Sequence, residues 1–280
     1  HWRPFARKLP TQVWGIEHEY IRSSQEEHLH RTALADDAEA FGTLLLGVCR
    51  KQQPIQPQAM QLVGSSIGAT IAQMTAVALC DLGARAAMVV LIDPPPPGPA
   101  AMPRPFAASQ LDLVKASAIE YVRQAQQLVG QDVDRESVAR QLASCNGEYE
   151  VAHVATEELG RLGHTHADHE SVKALLRKML IYSHNLQRWA ALPLVPVRLE
   201  AGMVASLKIF TCTRRREFYD QFFMCGGVAD FDKYGEHEML PAVEGDHLGF
   251  VNRVCTGRVP EVTNAMLCAL HDGEESLEVL

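Results

Sequence analysis

The pattern of apolar and polar positions divides the chain into stretches of different character. Up to about residue 93, apolar segments of strand length alternate with segments of helical period. Residues 2–9, WRPFARKL, put Trp2, Phe5 and Leu9 on one side of a short helix that Pro10 ends. Residues 12–16, QVWGI, predict a strand, and 17–35 are polar and irregular. Asp36 or Asp37 is placed to cap a helix reaching about Lys51, with Ala40, Phe41, Leu44, Leu45 and Val48 at helical spacing. Pro54 and Pro57 close that segment, and a short apolar strand beginning at Gln61 runs into a helix over 69–82. Residues 87–93, AMVVLID, form a continuous apolar run ending in an acid, which suits a parallel strand buried on both faces. This alternation predicts a layered α/β fold.

The prolines between Pro94 and Pro105 stop both kinds of element and predict a stiff extended connector. Strand signals then vanish, and four helical patterns follow, at 109–129, 133–144, 149–162 and 168–190. They read as an insertion forming a helical lid. Strand character returns at 195–200, VPVRLE, followed by an irregular segment holding Phe210, Phe218, Tyr219, Phe222 and Phe223, which reads as packing. A last strand is expected at 238–243, then a turn through Gly245, Asp246 and His247, a helix near 259–270 and an acidic tail. The expected organisation is a core made of 1–104 and 192–280 around a lid at 105–191.

Composition narrows the function classes. A chain of 280 residues that is 47% hydrophobic is long enough to bury a full core. The net charge of −8 argues against a nucleic-acid partner. The one dense basic run, Arg214-Arg215-Arg216, reads as a solvated face. The longest apolar stretch is interrupted by Asp81 and Arg85, so no membrane span is expected. Seven scattered cysteines with no Cys-x-x-Cys pair suit reduced thiols and a cytoplasmic setting.

Chemistry concentrates at Gly64-Ser65-Ser66-Ile67-Gly68, whose Gly-x-Ser-x-Gly spacing lies between a strand and a helix. That order suits a nucleophile elbow, with Ser66 pushed into the open at the bend. Gly64 and Gly68 lack β-carbons that would clash as the helix leaves the strand. The helix start aims partial positive charge and free N–H groups at Ser66. A serine hydroxyl needs a base, and the base needs an orienting acid. Asp93, closing the next strand, supplies the acid, and His247, after the last strand, the base; Glu200 is the reserve acid.

Three stretches then carry a resemblance: QLVGSSIG from Gln61, VLIDPPPPG from Val90 and VEGDHL from Val243. With VWGIEH from Val13 and the Gln56-Pro57 approach, they make the chain similar to type I thioesterase domains. Such domains end modular polyketide synthases and nonribosomal peptide synthetases. The resemblance implies an α/β-hydrolase-like, mostly parallel sheet with a helical lid insertion. It implies Ser66 as the acylated nucleophile, Asp93 as acid, His247 as base and the Ile67 N–H as an oxyanion donor. It implies a partner, an acyl or peptidyl carrier protein whose phosphopantetheine arm holds the acyl or peptidyl substrate as a thioester; no cofactor is bound by the domain itself. Release would be by hydrolysis or cyclisation. The family also has a strand and a glycine-rich turn before the first helix, giving a second oxyanion donor. Here the first helix begins at residue 2, which predicts an N-terminally truncated domain, with its strands closing the gap or its sheet left incomplete. Ser65 stands where the family usually has an aromatic residue or His.

Two other readings compete. His164-Thr165-His166-Ala167-Asp168-His169 matches the His-x-His-x-Asp-His string of two-metal hydrolases, in which His164, His166, Asp168 and His169 would surround metal. Its flanks fit instead a polar turn between two lid helices, with Asp168 as an N-cap. The third reading is a non-catalytic module that docks a carrier protein.

Overall fold

Strands form where the chain is apolar on consecutive positions, and the most apolar of these runs lies at the middle of the sheet. The computed structural model describes residues 3–9, 13, 15, 34–51, 60–95, 109–129, 135–164, 166–190, 198–200, 202–219 and 231–275. The chain divides into two units. The first comprises His1–Glu17, Thr32–Pro103 and Ala190–Leu280, and the second His18–Arg31 and Arg104–Trp189.

In the first unit α1 (Arg3–Ala6) is followed by α2 (Leu34–Lys51), β1 (Gln61–Ser65), α3 (Ile67–Asp81) and β2 (Ala86–Ile92). The four strands described here form one sheet in the order β1-β2-β3-β4, all pairs parallel, with β3 at Val204–Phe210 and β4 at Glu238–Met239. Side chains alternate across it. Val89 and Leu91 of β2 face Leu62, Leu207 and Ile209 together with Ala69, Ala72, Ala76 and Leu79 of α3. Met88, Val90 and Ile92 face the other way, with Phe210, Phe5, Phe250, Val254 and Val262. A strand with apolar residues on both faces is what a three-layer arrangement requires. After β3 come α8 (Arg215–Tyr219), a 3₁₀ turn (Phe231–Tyr234), α9 (His247–Cys255) and α10 (Pro260–Glu275), where α8 is numbered after the four helices of the second unit.

Those four are α4 (Gln110–Leu128), α5 (Arg135–Ala143), α6 (Glu148–Arg161) and α7 (His169–Ala190). They share a core of their own. Val114, Ala118 and Val122 recur one helical turn apart on α4 and meet Val138, Leu142, Val151, Ala155, Val172 and Met179. Each helix lies within two residues of where the apolar period puts it. Among the described residues, no helix is long and apolar enough to cross a membrane.

Several expectations need correction. Of the strand expected at 195–200, residues 198–200 are described and make an isolated bridge from Leu199 to Gly235, and 195–197 fall outside the described residues; Val204–Phe210, which was read as irregular at its end, is the strand that pairs with β2. The last strand is two residues long, continued by one bridge between Cys212 and Val243. The Gly-Asp-His turn opens directly into α9, which the apolar pattern did not suggest. Helix α2 starts at Leu34, so Asp36 and Asp37 lie in its first turn and oppose its dipole, not at its cap. Of the strand expected at 12–16, Val13 and Gly15 are described and lie in no regular element; the rest falls outside the described residues. So do most of the proline connector and Phe222 and Phe223.

Candidate active site

Register brings the chemistry to one edge. Ser65 pairs with Ile92, and Ile92 with Phe210, so Ser66, Asp93 and Thr211 leave three neighbouring parallel strands at the same C-terminal rim. Ligands of open α/β sheets bind outside that rim.

Ser66 turns the chain from β1 into α3 with φ 53 and ψ −129, a backbone conformation costly for any side chain. Two hydrogen bonds hold it, from the Ser66 N–H to the Ile92 carbonyl and from the Ala69 N–H to the Ser66 carbonyl, both 2.9 Å. Gly64 makes the bend possible. A β-carbon there would lie 2.1 Å from the Gly68 carbonyl oxygen and 2.5 Å from its carbon. Gly68 plays a different part from the one expected: a β-carbon on it meets nothing within 4 Å. Its backbone, not its missing side chain, is what Gly64 must admit. Ile67 is the first residue of α3, so its N–H has no acceptor within the helix and lies at the positive end of the helix dipole.

Ser66 Oγ lies 3.0 Å from His247 Nε2, and His247 Nδ1 lies 2.6 Å from Asp93 Oδ2. The carboxylate accepts, so Nδ1 carries the proton and Nε2 is left to accept from the serine hydroxyl. His247 is 1% exposed. It is the first residue of α9, whose start is fixed by Asp246: the Asp246 side chain accepts from the Gly249 N–H at 2.8 Å. The Tyr219 ring meets the imidazole edge-on, centroids 5.1 Å apart.

Asp93 is fully buried, with φ 43, a region that aspartate tolerates better than most residues. Its N–H donates to the Phe210 carbonyl at 2.7 Å. Oδ1 accepts from Arg215 Nε at 3.0 Å, and Oδ2 from the Cys212 thiol at 3.3 Å as well as from His247. Burial pushes this carboxyl upward. The His247 hydrogen bond and charge, then Arg215 and the Cys212 thiol, together outweigh burial and hold it below the usual carboxylate range. Burial, then the Asp93 charge, pushes the Cys212 thiol far up, so it stays protonated and donates.

Sequence reasoning missed the ring of residues around Asp93. Arg215 was expected on a solvated face. Arg214 and Arg216 are exposed, but Arg215 is buried and also donates from Nη2 to the Pro94 carbonyl at 2.6 Å. The Tyr219 hydroxyl donates to the Asp93 carbonyl and the Tyr234 hydroxyl to the Pro95 carbonyl, each at 2.5 Å. The only hint in the sequence is a basic run leading straight into Phe218-Tyr219. Glu200, the reserve acid, is exposed and precedes β3, at the opposite rim from Ser66.

The His-rich string does not converge. His164 Nε2 contacts the Ala125 carbonyl, His169 Nδ1 the Tyr149 hydroxyl at 2.7 Å, and Asp168 Oδ1 accepts from the Ser171 N–H at 2.8 Å. Among the described residues no group of three His, Cys, Asp or Glu side chains is placed to hold a metal.

A parallel α/β sheet carrying a serine on a strand-to-helix bend, with an imidazole and a carboxylate in line behind it, defines the α/β-hydrolase class. Comparison with protein families gives a match to the thioesterase domain over residues 1–183, and the chain belongs to that family. Among solved structures the chain is similar to a holo four-domain nonribosomal peptide synthetase bound to AMP and glycine. That likeness has a TM-score of 0.54 and 17% identity over 82% of this chain, and it shows the fold. The chain spans 15% of the length of that synthetase. No curated protein matches in sequence.

Proposed function

We propose that this thioesterase domain releases an acyl or peptidyl chain from a carrier-protein phosphopantetheine thioester through an acyl-enzyme on Ser66. One observation carries the reading: the unbroken hydrogen-bonded line from Ser66 through His247 to Asp93 at the C-terminal rim. Ser66 Oγ attacks the thioester carbonyl while His247 Nε2 takes its proton. Asp93 holds the imidazole tautomer and balances the imidazolium. The Ile67 N–H stabilises the developing oxyanion. The intermediate collapses, the C–S bond breaks, and His247 returns the proton to the departing thiolate. Water, or a nucleophile on the chain itself, then attacks the ester with His247 again as base, giving an acid or a ring. The likeness to a peptide synthetase supports a carrier-protein context, and the free thiols of Cys49, Cys80, Cys145, Cys212 and Cys255 suit a reducing compartment such as the cytoplasm.

A fluorophosphonate probe and hydrolysis of an acyl-N-acetylcysteamine thioester test this. Labelling and turnover that both disappear in a folded Ser66→Ala variant support it. Absence of labelling in the folded wild-type domain would leave a docking module as the better reading.

A further inference from the structure

Arg215 belongs to no motif that marks the site, yet it is buried against the acid. We infer that Arg215 is a positioning residue for the Ser66–His247–Asp93 line, holding the Asp93 carboxylate in the one rotation that serves His247. The inference rests on the catalytic reading above.

The geometry supports it in three ways. Arg215 Nε takes Oδ1, leaving Oδ2 for the imidazole, so the carboxylate cannot rotate without breaking both bonds. Arg215 Nη2 also holds the Pro94 carbonyl, and Tyr219, four residues on, holds the Asp93 carbonyl. One short helix therefore grips the side chain and the backbone of a residue whose φ of 43 needs external support. The guanidinium is itself fixed, stacked against the Tyr219 ring at 4.9 Å and the Phe231 ring at 5.0 Å. A lysine could supply the charge but not the fork that spans two acceptors.

The test compares wild type, Arg215→Gln and Arg215→Lys for thioester hydrolysis and for the low-field proton resonance of the His247 Nδ1–H, assigned by its loss in His247→Gln. For Arg215→Gln the expected result is a kcat down about 10²-fold with KM unchanged. The resonance should broaden away as the Asp93 carboxylate loses its fixed rotation. Arg215→Lys should recover part of kcat. A folded Arg215→Gln with wild-type kcat and resonance overturns the inference. Should the Gln variant not fold, Arg215→Lys decides: reduced kcat at constant KM supports the inference, and wild-type kcat overturns it. If hydrolysis survives Ser66→Ala, the catalytic reading fails, while the resonance still reports whether Arg215 holds the pair.

Discussion

Two helices of this protein start in the same way and end in different chemistry. In α9 and in α7 an aspartate precedes a histidine that opens the helix. Asp246 accepts from the Gly249 N–H and its carbonyl from Phe250; Asp168 accepts from the Ser171 N–H and its carbonyl from Val172. The local construction is the same N-cap. His247 is buried, with a carboxylate on one nitrogen and a serine on the other. His169 is exposed, and its ring meets an exposed tyrosine, Tyr149. A capped Asp-His step therefore fixes where an imidazole begins and says nothing of what it meets. What distinguishes the two is long-range: the register of β1, β2 and β3 delivers Ser66 and Asp93 to the rim beside α9.

The largest break between the two histidines should be catalytic. On the proposed mechanism His247→Gln removes the base, and it should lower thioester turnover by at least ~10³-fold. His169→Gln should leave turnover at the wild-type level. Steady-state kinetics with an acyl-N-acetylcysteamine thioester measures both, and equal effects would erase the distinction drawn here.

The next effect is on folding. Gly64 and Gly68 flank the same serine and look equivalent in the sequence, yet only one is sterically constrained. Gly64→Ala drives a β-carbon into the Gly68 backbone and should cost more than about 3 kcal/mol, by urea denaturation. Gly68→Ala adds a methyl in open space inside a helix and should gain roughly 0.5 kcal/mol. Comparable losses in both would mean that the elbow is not packed as described.

That pair shows where the sequence is legible and where it is not. The elbow, the strand ending in Asp93 and the four helices of the second unit are written in local period and spacing. Gly-x-Ser-x-Gly marks the bend but not which glycine is crowded, because the crowding arises between Gly64 and a backbone four residues on. Strand β3 was missed for a related reason. It carries Ser206 and Lys208 among its apolar residues, and Lys208 is accommodated by Glu238, its partner in register on β4, at 3.1 Å. That compensation lies thirty residues downstream, beyond any local window. Arg215 is harder still. Nothing around it in the chain separates it from Arg214 and Arg216; only the buried carboxylate arriving from β2 does.

Acid should separate the two capped regions next. Asp93 and Asp168 both titrate below the usual range in the folded protein, Asp93 through His247 and Arg215 overcoming burial and Asp168 chiefly through the Ser171 N–H. A depressed folded value means stability that is present above the unfolded range, around pH 4, and lost as pH falls through the folded value. Asp93 is fully buried and should dominate that loss; Asp168 is exposed and screened. Urea midpoints followed from pH 6 to pH 3 should therefore fall less steeply in Asp93→Asn than in wild type. Asp168→Asn should follow the wild-type slope. A wild-type slope in Asp93→Asn would place the acid sensitivity elsewhere.

The smallest effect is the sharpest test of the shared cap. Asp246→Ala leaves the Gly249 N–H without its acceptor and should cost about 1 kcal/mol. It should also lower kcat by roughly tenfold, because the first turn of α9 carries the imidazole and its misplacement is felt at Ser66. Asp246→Asn keeps a capping oxygen and should restore most of both, although it gives up the charge facing Arg214. Asp168→Ala loses an equivalent bond on an exposed turn and should lower the melting temperature slightly with no change in kcat. The informative quantity is the split within each variant. A cap that matters only to its helix moves stability alone, as at Asp168. A cap that aims a base moves stability and kcat together and is rescued in both by Asn, as expected at Asp246. If Asp246→Ala lowered stability and left kcat untouched, the imidazole would be held by Asp93 and Tyr219 without help from the start of its own helix.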